Sequence, residues 1–224
     1  ILRVHKFGYG FGQQLFLRQE DTGLVPMLGE IPVTNVNQRM DVLRKRYGQR
    51  FAEMPLHLFV RAKQPVPDRV ELLVLRSVEI DSQLESNPET TLRLIHDALK
   101  RIRVAIHKLQ QQGFHEVVIA TDHGFFLNMQ AEAGDVCVKP QGNWGNAHDR
   151  SLLGNGAADS HSFVVAAERV GIRGDFAQFA GPRTMAPYRA GLLYFHGGIS
   201  LQEAVVPVLT VRLESMLPPD VRQA

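Results

Sequence analysis

The sequence predicts an α/β domain with a mostly parallel sheet, and three stretches carry that expectation. Val70–Ser77 (VELLVLRS) is a nearly continuous apolar run, the pattern of a strand covered on both faces. A long amphipathic helix follows, and then a second β-branched run, Glu116–Ala120 (EVVIA). Strand, long helix and strand in succession read as a right-handed βαβ unit.

The chain has 224 residues, 44% of them hydrophobic and 21% charged, which is enough to bury a real core in an ordinary globular protein. No apolar run approaches the roughly 20 residues of a membrane-spanning helix, so no membrane partner is expected. A single cysteine, Cys137, excludes an internal disulfide framework and a cysteine-rich zinc module. It suits a reducing cytoplasm, the expected location. A net charge of +2 argues against a general nucleic-acid binder. The basic groups Arg44, Lys45, Arg46 and Lys100, Arg101, Arg103, Lys108 read as solvated helix faces.

Taken in order, Gly8–Gln13 (GYGFGQ) reads as a loop, and Asp21–Gly23 as a turn between two short extended pieces. Val36–Phe51 has helical periodicity, with Met40, Val42, Leu43 and Tyr47 as its apolar stripe. Lys63–Asp68 (KQPVPD) carries two prolines and reads as a linker, giving an expected division into an N-terminal segment, 1–61, that serves as cap or insertion, and a main domain, 62–224. The long helix has Asn87 to cap it and Pro88 at its first position. Leu92, Ile95, Leu99, Ile102, Ile106 and Leu109 form its expected buried face, and Gly113 stops it.

Beyond Glu116–Ala120 the chain is rich in glycine and asparagine, which predicts a hairpin and long loops. Ser162–Ile172 reads as a strand or a short helix, and Gly191–Phe195 as a strand. Ser200 with Glu203 three residues on reads as a capping box. Val205–Leu213 reads as a strand whose Pro207 places it at an edge or marks its start.

Ligands of open α/β sheets bind beyond the carboxyl ends of the strands. Asp122 and His123 follow Glu116–Ala120, Asp81 and Glu85 follow the Val70–Ser77 strand, and His196 follows Gly191–Phe195. If residues 81–85 are helical, the two carboxylates share a face. Three strand ends thus deliver carboxylate and imidazole groups toward one edge. Such groups are typical ligands of zinc, manganese or iron, and two such ions can clamp a phosphoryl displacement. Each residue also has a plainer reading: a turn for Asp-His-Gly, a core or capping role for His196, solvated acids at a helix start for Asp81 and Glu85. His148 and Arg150, in Asn146–Arg150 (NAHDR), are candidates to reach a phosphate from a loop. Arg173, Arg183 and Arg189, like His96, His107 and His115, read as surface residues.

RSVEIDSQLE, GFHEVVIATDHGFF and YFHGGISLQEAVVPVLTV resemble the PglZ domain family, part of the alkaline phosphatase superfamily of metal-dependent phosphoesterases. The likeness runs from about Val70 to Leu213 and is strongest in the last two motifs. It implies a three-layer sandwich of alkaline-phosphatase type, of which this chain would hold an incomplete, C-terminal portion. It implies two divalent ions, zinc or manganese, in the parent protein. Asp122 and His123 would split between the two or share one; His196 and Asp81 would bind the other. Glu85 stands where the superfamily usually has histidine, which alters charge and metal preference. In the family the nucleophile, a threonine or serine, and a further metal-binding aspartate precede a segment like GLVPMLGEIPVTNVNQRM, which here begins at Gly23. No catalytic nucleophile is therefore expected within this chain, and little turnover from it alone. The implied function is hydrolysis of a phosphoester or phosphodiester in BREX-type phage defence, with other defence proteins as partners and nucleic acid as a further one. The competing expectation is a non-catalytic scaffold that keeps the fold and works by binding.

Overall fold

The computed structural model describes residues 2–5, 15–21, 23–86, 91–128 and 136–214, which divide into two compact units. The first comprises residues 1–10, 40–122 and 207–224, the second 11–39 and 123–206. The stretch Lys63–Asp68 is a connector inside the first unit, where Val66 is buried and its N–H donates to Gln112 Oε1 at 3.0 Å. The strand and helix on its N-terminal side belong to the same sheet and core as those on its C-terminal side, so it does not separate 1–61 from the rest.

The first unit is built on a five-stranded sheet. Its strands are β1 (Leu2–His5), β5 (Phe51–Pro55), β6 (Leu72–Arg76), β7 (Glu116–Ala120) and β14 (Val208–Arg212), in the spatial order β14-β7-β1-β6-β5. Only β5 and β6 pair parallel; β1 pairs antiparallel with both β6 and β7, and β14 antiparallel with β7. The expected mostly parallel sheet is corrected in this respect. β6 and β7 do run the same way, as a βαβ unit requires, but β1 lies between them. Parallel neighbours need a crossover connection. β14 is reached through the residues of the second unit rather than through a crossover helix, so nothing compels it to run parallel to β7.

β6 is covered on both faces: Leu72, Leu73, Val74 and Leu75 are all buried. Leu73 and Leu75 pack with Leu56 and Phe59 of α2 (Leu56–Arg61), with Ala105 and Leu109 of α4 (Thr91–Gln111), and with Val117 of β7. α4 ends as expected. Gly113 takes φ +77°, and Phe114 N–H donates back to the Leu109 carbonyl. Its buried face is Ala98, Ala105 and Leu109 flanked by Ile102 and Ile106, whereas Leu99 is exposed. Ala105, not Leu99, marks the seam with Leu56 and Phe59 of α2. Lys108 is no solvated charge: its ammonium holds the last carbonyls of α2, at Phe59 and Ala62. Arg101 likewise pairs with Glu79. Asn87 and Pro88 lie outside the described residues, as does the Gly8–Gln13 stretch.

α1 (Val36–Tyr47) buries Met40 and Tyr47 of its expected stripe. It opens with a capping box: Asn35 Oδ1 accepts from Gln38 N–H, while Gln38 Oε1 accepts from the N–H groups of Thr34 and Asn35. Pro207 precedes β14, which is the edge strand, as its proline suggested.

The second unit holds three antiparallel sheets. One is β2 (Leu15–Glu20), β3 (Gly23–Leu28) and β4 (Ile31–Pro32). Another orders β11 (Ser162–Ala166), β12 (Gln178–Pro182), β10 (Leu152–Gly156) and β9 (Gly142–Ala147). β9 and β10 are the expected hairpin, and Ser162–Ile172 proves to be both readings in turn, strand and then a 3-10 turn over Ala167–Val170. The register sets Leu152 opposite Ala180 and Leu153 opposite Phe179. Leu152 and Ala180 pack with Cys137 and Tyr188, while Leu153 and Phe179 pack with Phe176 on the other face. The third sheet pairs only β8 (Phe126–Leu127) and β13 (Tyr194–Phe195). Among the described residues no helix is long and apolar enough to cross a membrane.

Tyr188 lies in the first of those two clusters, its hydroxyl 3.0 Å from Ser162 Oγ. Burial pushes its phenol up to about 12, against a smaller opposing pull from the Ser162 hydrogen bond. The folded state therefore holds this proton where an unfolded chain releases it. Stability is intact below pH 10 and lost as pH rises toward 12. Absorbance titration of the four tyrosines at 295 nm should show one late ionisation that disappears in Tyr188→Phe.

Candidate functional site

The histidine of the Asp-His-Gly turn and the histidine after β13 meet through the β8–β13 ribbon. That pairing sets Phe126 opposite Phe195 and Leu127 opposite Tyr194. Continued by one step, the register puts His196 across from Phe125, two residues from His123. The imidazoles of His123 and His196 stack with ring centroids 3.9 Å apart and planes 10° apart. The expected geometry is thereby corrected in one respect: His196 does not come from the end of a strand in the sheet of β6 and β7, but from a separate two-stranded ribbon.

Two backbone approaches lock this arrangement. Gly124 N–H donates to the Glu203 carbonyl at 2.9 Å, and a Cβ on Gly124 would stand 1.8 Å from the Gln202 carbonyl oxygen. Only a residue without a side chain lets the Asp-His-Gly turn lie against the start of α5 (Leu201–Ala204). After His196, Gly197 adopts φ +95°, and a Cβ there would meet His148 Nδ1 at 2.6 Å.

Two imidazoles of this cluster, His123 and His148, have a ring nitrogen against a backbone carbonyl. His123 Nδ1 lies 3.0 Å from the carbonyl of Gly124, an acceptor only, so the hydrogen bond there is donated by Nδ1–H. His148 Nδ1 stands in the same relation to the His196 carbonyl, at 3.3 Å, and its ring centroid is 4.8 Å from that of His196. His148, expected to reach a phosphate, is thus a neighbour of His196 on the loop between β9 and β10. Tyr194 borders His196 from the other side, with centroids 5.8 Å apart.

Arg150 does not sit in a solvated loop. It is 3% exposed, and Nε contacts both carboxylate oxygens of Glu203, at 2.9 and 3.0 Å, while Nη1 donates to the carbonyls of Thr184 and Ala186. Glu203, 2% exposed, also accepts from Gly198 N–H at 2.9 Å and from Ser200 Oγ at 2.7 Å. The expected capping box is corrected accordingly. Ser200 is the N-cap residue but makes no side-chain bond to the helix backbone, because its hydroxyl and the Glu203 carboxylate are engaged with each other and with Arg150. No sequence signal marks this role of Glu203; a glutamate at that spacing looks like a helix cap.

Asp122 is exposed just beyond β7, with Thr121 Oγ1 3.5 Å from its Oδ1. The backbone of α3 (Glu79–Ser86) is helical across Asp81 and Glu85, so the two are one turn apart on one face, as expected. Their side chains lie outside the described ones. Among the described residues no group of three or more histidine, cysteine, aspartate or glutamate side chains is gathered as a metal cage.

A family model for the BREX system PglZ alkaline phosphatase-like domain matches residues 38–211. The chain belongs to the PglZ family. It is an alkaline phosphatase-like BREX component of α/β class, and the PglZ match spans both motifs that meet at the histidine stack. No curated protein and no solved structure matches the chain.

Parallel rings 3.9 Å apart bear on how a PglZ domain could hold metal. Imidazole lone pairs lie in the ring plane, and a zinc–nitrogen bond is roughly 2.0–2.1 Å long. One ion cannot lie in both planes, so His123 and His196 do not fit a shared ion. As ligands they would each have to serve a separate ion, which is the arrangement of a two-metal site. The Gly124 carbonyl holding His123 Nδ1–H is the kind of outer partner that orients a metal-binding imidazole. In donor type the residues present fit a site of this sort.

Proposed function

We propose that this PglZ domain contributes to a metal-dependent phosphoesterase or phosphodiesterase site acting in bacterial defence against phage, in the cytoplasm and in company with other defence proteins. The sheet of the first unit would form part of a three-layer sandwich. The stack of His123 on His196 carries the reading. It supports assigning His123 and His196 to different ions; Asp122, Asp81 and the weaker candidate Glu85 are the carboxylates that the family resemblance offers beside them. Zinc or manganese suits this nitrogen and oxygen donor set. The bound ions would supply charge stabilisation for the phosphoryl oxygens. The chain's own residues do the positioning. Gly124 and Gly197 let two loops close together, Gly124's carbonyl accepts from His123 Nδ1–H, and the Arg150–Glu203 pair anchors Gly198 directly behind His196. Phosphoesters, and nucleic acid as a diester, are the substrate class.

A calorimetric titration of zinc or manganese tests this. Saturable binding is expected, weakened by on the order of 100-fold in His123→Ala and in His196→Ala, since loss of a mere orienting partner costs 10–100-fold. Unchanged isotherms in both variants sink the metal assignment. Hydrolysis of p-nitrophenyl phosphate and its bis ester then separates an enzyme from a binding domain. The Arg150–Glu203 pair favours the second reading, a scaffold, for one part of the motif: Gly198, Ser200 and Glu203 serve packing rather than chemistry.

A further inference from the structure

A cavity of about 450 Å³ opens in the second unit. Its lining includes Arg150, Phe163, Arg183, Met185 and Ile199, and none of the lining residues is acidic. The volume falls within the roughly 300–1,000 Å³ of small-molecule sites, far beyond the needs of one ion. Its apolar part is Phe163, Pro182, Met185 and Ile199, with Met185 51% and Ile199 42% exposed. Apolar side chains left open in a concavity are what a flat or branched organic group can cover.

The polar part is more specific. Four contacts occupy Nε and Nη1 of Arg150, but Nη2 has no hydrogen-bond partner among the described residues. This guanidinium is almost wholly buried, held rigid by Glu203 and two carbonyls, and it lines the cavity. Its ordering cost is met by the fold, so the remaining donor is pre-organised for an acceptor. Because Glu203 offsets the charge of Arg150, net positive charge comes from Arg183. That side chain is exposed and lightly tethered, with Nε 3.4 Å from the Asp159 carbonyl.

We propose that this cavity binds an organic anion, a phosphate ester or carboxylate carrying a flat apolar body. The anionic oxygens accept from Arg150 Nη2 and face Arg183, and the apolar body lies against Phe163, Met185 and Ile199. The site is separate from the histidine stack and does not depend on metal.

The experiment uses the full chain in excess chelator and follows backbone amide shifts during titration with phenyl phosphate, benzoate, inorganic phosphate and benzyl alcohol. Phenyl phosphate or benzoate is expected to saturate with a Kd of about 0.1–1 mM, the affinity that ligand efficiency allows for so small a molecule. Shifts should centre on residues 181–185 and 198–200. A preference between the two identifies ester or carboxylate. Inorganic phosphate and benzyl alcohol, each carrying half of the recognised features, should bind at least tenfold more weakly. Arg183→Glu and Met185→Glu, both at exposed positions that leave the core intact, should each weaken phenyl phosphate at least tenfold while leaving zinc affinity unchanged. Absence of saturation by either aromatic anion at 10 mM overturns the proposal, as does equal binding of benzyl alcohol or indifference to both substitutions. Failure of zinc binding alone would overturn the metal assignment and leave this site standing.

Discussion

Replacing Gly124 with alanine should destabilise the protein by about 3 kcal/mol or more and separate the His123–His196 stack. The added methyl would stand 1.8 Å from the carbonyl oxygen of Gln202 and 2.9 Å from its carbon. Both are backbone atoms, so no side-chain rotation relieves the clash. Over-packing relieved by side-chain shifts costs about 1–3 kcal/mol, and a backbone obstruction belongs at or above the top of that range. The only escape is for the Asp-His-Gly turn to move away from α5, which breaks the Gly124–Glu203 hydrogen bond and carries His123 away from His196. Denaturant unfolding of Gly124→Ala should show the loss in midpoint, and the two imidazoles should lose the upfield ring-current shifts that stacking imposes. A midpoint within 0.5 kcal/mol of the parent, by the usual conversion, would show that the approach of the two loops is not what the structure describes.

Glu203→Ala is expected to cost about 3–5 kcal/mol, because it strands a guanidinium that is 3% exposed. Two further groups, the Gly198 N–H and the Ser200 hydroxyl, lose their acceptor at once, and with them goes the tie from β13 to α5 that they maintain. The companion measurement is the double replacement Arg150→Met with Glu203→Leu. Removing both charges for apolar groups of similar volume should recover much of the loss, since buried ion pairs seldom outperform good packing. Comparable instability in the single and double variants would mean that the backbone bonds to Glu203, rather than its pairing with Arg150, hold the loop. Glu203→Gln separates the two further: it keeps an acceptor for Gly198 and forfeits the charge.

How much of this was legible in the residues differs from element to element. β6 was readable because four consecutive buried apolar side chains have no other explanation, and α4 because its period persists over twenty-one residues. The stop at Gly113 follows from backbone chemistry alone. β1 was not readable. Four residues near the start of the chain carry no periodic signal, and their strand character comes from being inserted between β6 and β7. That one insertion turned an expected parallel neighbour pair into two antiparallel ones. β12 was hidden for another reason: Gly181 and Pro182 look like a turn, yet both lie in the strand, paired with Phe163 and Ser162. For the candidate site, His123 and His196 were singled out by their places after apolar runs. Their mode of contact was not legible, because it depends on the register of a two-residue ribbon. Arg150 looked like a loop arginine because local sequence is silent about a partner fifty-three positions away.

The path of the backbone has a practical meaning for anyone wishing to dissect this molecule. The first unit is assembled from three stretches of chain and the second from two, with crossings near residues 10, 39, 122 and 206. No pair of truncation points can excise the sheet of β6 and β7 without also taking the histidine ribbon along. One of those crossings falls between Asp122 and His123, so peptide continuity itself ties a carboxylate of one unit to the first imidazole of the other.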